Sequence, residues 1–205
     1  GAGFDDDRAL SVDNITVNEG SPKAVFTVSG AAGQFASLSL ADVTTAGLSG
    51  LEYYDASANG GAGGWVAYTV PVALDAAGKL LVRTSLTPEQ ETTVDNGETF
   101  TLTATNAGGT SAIGTGTIKD DGTGNKYPDA GPNPDGTPSK QTGPGAGFDD
   151  DRTLSVDNIT VNEGSPKAVF TVSGAAGQFA SLSLANVTTT GLSGLEYYDA
   201  SANAG

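Results

Sequence analysis

The sequence predicts an all-β protein, a seven- to eight-stranded antiparallel β-sandwich carried as a tandem repeat. Three observations predict it. Apolar and polar residues alternate with period two over several short segments. Clusters of Gly, Asn, Asp and Pro interrupt those segments at short intervals. The opening stretch of the chain recurs almost unchanged at its other end. No segment carries a convincing helical period.

Along the chain, the first strand signal is Ala24-Val25-Phe26-Thr27-Val28, which follows the turn residues Asp13-Asn14 and Glu19-Gly20-Ser21-Pro22. Leu38-Ser39-Leu40 comes after the break at 30–33, and residues 66–74 and 79–84 come after the Gly-rich run at 59–64. The clearest strand is Thr99 to Thr105: Phe100, Leu102 and Ala104 fall on one face and the threonines on the other, as a strand with one face in a core requires. Asn96-Gly97 leads into it, and residues 106–109 turn the chain into a last strand at 111–118. Short strands punctuated in this way favour two packed sheets. Trp65, Tyr68, Tyr53 and Tyr54 supply large aromatic surface; in a small sandwich such rings usually plug the core or cover its ends, while an exposed row of them would stack on sugars.

Residues 1–61 recur as 145–205 with four differences: Ala9 against Thr153, Asp42 against Asn186, Ala46 against Thr190, and Gly60 against Ala204. Identity this high marks recent or continually homogenised duplication and predicts an array in the parent protein. Residues 122–147 hold five of the nine prolines and read as a Pro/Gly-rich linker of intermediate stiffness. The expected organisation is a first repeat over 1–121 with its core at 8–121, the linker, and the N-terminal half of a second repeat over 148–205. That half is either cut from a longer array or completed by another molecule through strand exchange.

Composition narrows the function. With no Cys, His or Met, the chain lacks the commonest nucleophile–base pairs, thiolate sites and haem ligands. Carboxylate pairs such as Asp95 and Glu98 are the nearest thing to hydrolytic machinery, and nothing indicates the cleft a glycosidase needs, so an enzyme is not expected. Nine Lys and Arg against 24 Asp and Glu give a net charge of −15, which disfavours nucleic acid and anionic membranes and favours cations. No stretch approaches the roughly 20 apolar residues that span a bilayer, and Gly1 opens no export signal. Gly- and Thr-rich, Cys-free, acidic composition is common among long exported bacterial surface proteins, so the expected location is extracellular, at a bacterial cell surface.

Five pieces occur in a recognisable order: Val17-Asn18-Glu19-Gly20-Ser21 before a Val-Phe-Thr-Val strand, Gly64-Trp65-Val66-Ala67-Tyr68, Leu81-Val82-Arg83-Thr84, Gly97-Glu98-Thr99-Phe100-Thr101-Leu102, and Gly116-Thr117-Ile118-Lys119-Asp120-Asp121-Gly122. Over roughly 10–121 and its partial copy, the chain resembles the Calx-beta-like, immunoglobulin-like tandem repeats of giant RTX-type, type I secreted surface adhesins. The resemblance implies a seven-stranded sandwich whose loops at one end bind calcium. It places the ligands at Glu19, at Asp95 and Glu98, and at Asp120 and Asp121, with Glu163 as the counterpart in the second copy. The family's terminal acidic run is shortened here by Gly122, and its Asp-Tyr loop motif appears as Glu52-Tyr53-Tyr54-Asp55.

Residue chemistry bears on the same site. Calcium takes six to eight oxygens in irregular geometry, so several loops at one sandwich end can converge on it. Asp120-Asp121 ends one strand while Asp95 and Glu98 flank the turn into its antiparallel neighbour, which brings those acids close; acids at strand ends also serve as solvated turn formers. A second acidic run, Asp5-Asp6-Asp7, recurs as Asp149-Asp150-Asp151 where linker meets sandwich. It reads either as a calcium clamp fixing the angle between linker and domain or as a solvated boundary neutralised by Arg8 and Arg152.

These readings lead to a structural extender repeat, rigidified by calcium, that projects a distal binding module from the cell and has neighbouring repeats of its own chain as partners. The alternative is an extracellular filament or surface-layer subunit that self-associates through strand edges or the half-domain.

Overall fold

The computed structural model describes residues 6–45, 47–129, 137–186 and 191–199. In chain order its strands are β1 (Ser11–Val12), β2 (Ile15–Asn18), β3 (Lys23–Ser29), β4 (Phe35–Asp42), β5 (Glu52–Asp55), β6 (Gly64–Ala67), β7 (Val72–Ala73), β8 (Lys79–Ser85), β9 (Thr99–Thr105), β10 (Ser111–Lys119), β11 (Asn125–Lys126), β12 (Gln141–Thr142), β13 (Ser155–Val156) and β14 (Val172–Ser173). The first twelve form two sheets, ordered β1-β3-β8-β5-β6 and β12-β11-β2-β10-β9-β4-β7. The chain is all-β, as its alternation predicts, and no helix among the described residues is long and apolar enough to cross a membrane.

The alternating strands supply the core. Phe100, Leu102 and Ala104 on β9 are fully buried against Phe26 and Val28 on β3, and the Phe26 and Phe100 rings meet edge to face at 5.6 Å across the two sheets. Burying each ring contributes on the order of 2 to 3 kcal/mol. Gly116 lies opposite Phe100 in the β9–β10 register. A Cβ there would stand 2.4 Å from the ring, so glycine is what lets Phe100 lie across β10.

Three features depart from the sequence reading. Residues 66–74 do not form one strand: they split into β6 and β7, which belong to different sheets. Tyr68 makes the crossing, its N–H bonding Leu51 O and its hydroxyl accepting from Leu38 N–H at 2.8 Å, and Pro71 has no N–H to continue a ladder. The pairing is also not purely antiparallel, because β2 runs parallel to both β10 and β11. The turn at 19–22 carries the chain from β2 to β3 in the opposite sheet, leaving β2 alongside the last long strand. Finally, the Pro/Gly-rich segment is partly built into the sandwich: β11 pairs with β2 and β12, and Tyr127 is buried with its N–H on Ser21 Oγ at 2.8 Å.

The second copy repeats only the most local part of this architecture. β13 and β14 pair in the register of β1 and β3. Elsewhere most of its described apolar residues stay exposed: Phe170 is 48% accessible where its counterpart Phe26 is 1%. In the first copy the covering strands come from residues 64–119.

Candidate metal centre

The ends of β2 and β10 and the start of β9 lie together at one end of the sandwich, tied by the Glu19 N–H to Lys119 O at 2.8 Å and the Ile118 N–H to Glu98 O at 2.9 Å. The loop of residues 86–98 closes over this end, and residues 149–152 return to it. Asp121 and Asp150 form a β-bridge, and the Gly122 N–H donates to Asp149 O at 2.8 Å.

Glu19, Asp120 and Asp151 converge here, each offering a carboxylate oxygen, with those oxygens all within 4.8 Å of one another. Glu19 and Asp120 are 2% and 1% exposed. In each, a backbone N–H fixes one oxygen: Glu91 N donates to Glu19 Oε1 at 2.9 Å, and Asp95 N donates to Asp120 Oδ2 at 3.1 Å. The other oxygens, Glu19 Oε2 and Asp120 Oδ1, are buried with no hydrogen-bond partner among the described residues, as is Asp151 Oδ2. Buried polar atoms are seldom left this way, and unpartnered carboxylate oxygens are the costliest kind. Two oxygens on one calcium, each about 2.3 to 2.6 Å from it, lie at most about 5 Å apart, so the observed spacing admits one ion bound by all three.

The electrostatics divide the acids into two groups. Burial, reinforced by the charges of Asp149, Asp120 and Asp151 and only partly offset by the Glu91 N–H, pushes Glu19 up to about 7. Burial and a hydrogen bond to Glu89 push Glu98 up to about 8. Asp95, Asp120 and Asp151 are raised as well, in each case first by burial: a hydrogen bond to Glu91 adds to it for Asp95, like charges add to it for Asp151, and for Asp120 burial with the charges of Asp149 and Asp150 exceeds the backbone hydrogen bonds that lower it. The opposite holds for Asp150, lowered by its hydrogen bonds to Arg152. For Asp121, burial is outweighed by hydrogen bonds from Thr123 and Asn96. Arg152 joins the two, donating to Asp150 Oδ2 at 2.6 Å and Asp121 O at 2.8 Å. One part of the tip is thus internally neutralised, and the other is short of positive charge.

Of the residues singled out in the sequence, the fold gathers Glu19, Asp120 and Asp151 in one cluster. Asp95 and Glu98 stand beside it and hydrogen-bond Glu91 and Glu89. Asp121 and Asp150 turn to Thr123, Asn96 and Arg152, while Asp149 contributes its backbone and its charge. Asp6 pairs with Arg8, whose hydrogen bond lowers it to about 2, and Asp7 is exposed. Asp5 lies outside the described residues, and Glu163 is exposed in the second copy. Sequence reasoning missed Glu89, Glu91 and Asn18. The run Pro88-Glu89-Gln90-Glu91, ahead of Asp95, was the available signal for the first two.

The aromatics settle mostly into the sandwich. Tyr53, Trp65 and Tyr68 pack against the core, and Tyr54 meets Trp65 edge on at 5.7 Å. Fold and site together define a β-sandwich with a carboxylate cluster at its tip able to hold a metal ion. No protein-family model matches the chain, and no curated protein matches it.

Proposed function

We propose that this chain is part of a structural extender: a repeat of a large secreted, Calx-beta-like surface adhesin, non-enzymatic, in which calcium rigidifies each sandwich so that an array holds a distal binding module away from the cell. The observation that carries the reading is the trio of unpartnered carboxylate oxygens on Glu19, Asp120 and Asp151. The near-identity of residues 1–61 and 145–205 supports the array, because a spacer gains reach from copy number rather than from divergence. Calcium suits the site because the ligands are hard oxygens on irregular loops, whereas magnesium demands near-octahedral geometry.

Thermal melting with and without chelator tests the reading. Calcium at about a hundred times its Kd stabilises by about 2.7 kcal/mol, a shift on the order of 10 °C for a domain this size. Chelation lowers the melting temperature by that order, calcium restores it, and magnesium restores little. An unchanged melt removes calcium from the account.

One observation favours a second reading, the self-assembling filament or surface layer. Phe170, Val172, Leu182 and Tyr197 are exposed although their first-copy counterparts are wholly or partly buried, so the second copy presents apolar side chains that strands from another molecule could cover. Light scattering separates the two: an extender fragment stays monomeric with concentration, and a filament subunit grows.

A further inference from the structure

We infer that the metal centre is a tie between consecutive repeats, with Glu19 and Asp120 supplied by one repeat and Asp151 by the opening residues of the next. This rests on the cation reading above and adds to it that a single sandwich does not own its site. Asp149-Asp150-Asp151-Arg152 is the repeat of Asp5-Asp6-Asp7-Arg8, so by the chain's own periodicity Asp151 belongs to the second copy.

The two heads share one local geometry. Arg8 binds Asp6 through Nε at 2.8 Å and Nη2 at 2.6 Å, and Arg152 binds Asp150 with the same two bonds at the same lengths. Their settings differ. The first head sits at the far end of the sandwich, where Gly108 N–H donates to Asp6 O at 3.3 Å and Asn106 Nδ2 donates to Arg8 O at 2.9 Å, in the turn between β9 and β10. The seven residues of β9 separate that turn from the tip, a rise of about 20 Å. The second head is docked on the tip. Each sandwich therefore presents a head at one end and an acceptor for the next head at the other, the geometry of a linear array.

The docked head is held by backbone contacts and opposed by charge. Asp149 N–H donates to Asn18 Oδ1 at 2.8 Å, and Asp151 N–H donates to Asp120 O at 3.3 Å. Against these, Asp151 brings a third carboxylate to Glu19 and Asp120, both buried and unpartnered on one oxygen. A bound hard divalent cation turns that repulsion into three attractions spanning the boundary, so occupancy stiffens the joint as well as the sandwich.

Calcium titration of the full chain by calorimetry tests this with Asp151→Asn, Glu19→Gln and Asp7→Asn. Loss of a residue supporting a metal site costs about 10- to 100-fold in affinity, and a direct ligand at least as much. The expected result is a Kd raised about tenfold or more by Asp151→Asn and by Glu19→Gln, and unchanged by Asp7→Asn, whose residue type and sequence context match Asp151 but whose place is the opposite end. Hydrogen exchange on the unsubstituted chain gives the second measurement: calcium slows exchange at 119–124 and 149–152 together. If Glu19→Gln weakens binding while Asp151→Asn does not, or if calcium protects 119–124 and leaves 149–152 unchanged, the site belongs to one sandwich and the tie is overturned with the cation reading intact. If the unsubstituted chain takes up no calcium, both fall.

Discussion

The Asn18 side chain and the Asp149 backbone exchange two hydrogen bonds: Asn18 Oδ1 accepts the Asp149 N–H at 2.8 Å, and Asn18 Nδ2 donates to Asp149 O at 3.0 Å. A side-chain amide thereby plays the part of a neighbouring strand's peptide group and docks residues 131 positions away on the end of β2. The same Nδ2 lies 3.1 Å from Lys119 O and 3.0 Å from Thr123 O, so one fully buried residue gathers three chain segments. Asn18→Ala leaves several of these groups unpaired, each costing about 1 to 3 kcal/mol where water cannot reach. The expected loss is about 2 to 3 kcal/mol in denaturant unfolding, with fast amide exchange at Asp149. A neutral substitution would show that the returning segment is not anchored there.

The raised carboxyls fix a pH dependence with a definite sign. Glu19 stands at about 7 and Glu98 at about 8 in the fold, against an ordinary 4.5. Across that window the folded chain binds more protons than the unfolded chain, so its stability falls as pH rises from about 4.5 to about 8. The lowered groups, Asp6, Asp121 and Asp150, act below this window. Metal-free protein is therefore expected to melt higher at about pH 5.5 than at pH 8. With saturating calcium the difference shrinks, because the cation takes the place of the protons. A metal-free melt that rises steadily through this range contradicts the crowded tip.

Gly116 tests the core independently of any cation. Its Cβ would stand 2.4 Å from Phe100 Cζ, and the Phe100 ring is itself held by Phe26 on the facing sheet. Gly116→Ala forces the ring to move in a close-packed interior, at a cost of about 1 to 3 kcal/mol. The double substitution with Phe100→Leu recovers part of the loss if the clash is the cause. Additive destabilisation in that cycle points to backbone strain instead.

How much of this was legible follows from what each residue's role depends on. Phe100, Leu102 and Ala104 were readable because a period of two is a property of seven consecutive residues. The β1–β3 pairing is local enough to recur in the second copy as β13 and β14, whereas β2 carries too few residues for a pattern and takes its place from β10, a strand distant in sequence. Asp120 could be placed at a strand end, and Glu19 entered through resemblance. The approach of Asp151 to both depends on a returning segment that composition presents as a linker. Asn18 gave no signal, because an amide that stands in for a backbone looks in sequence like any turn-forming Asn.

The Arg83 guanidinium, on β8 in the five-stranded sheet, binds three different groups. It lies 4.4 Å from the centre of the Trp65 ring, 2.7 Å from Glu52 Oε2 and 3.2 Å from Asp129 O, and the residue is 7% exposed. Arg83→Lys keeps the charge but loses the planar fork and most of the stacking. A cost of about 1 to 2 kcal/mol is expected, smaller than for Arg83→Ala, which also leaves Glu52 with the more distant Lys23 at 3.7 Å. Trp65 is the chain's single tryptophan, so its emission reports the site directly. Both substitutions should shift it to longer wavelength as water reaches the ring, while calcium affinity at Glu19 and Asp120 stays as it was. An unshifted spectrum would mean that the guanidinium does not cover the indole in solution.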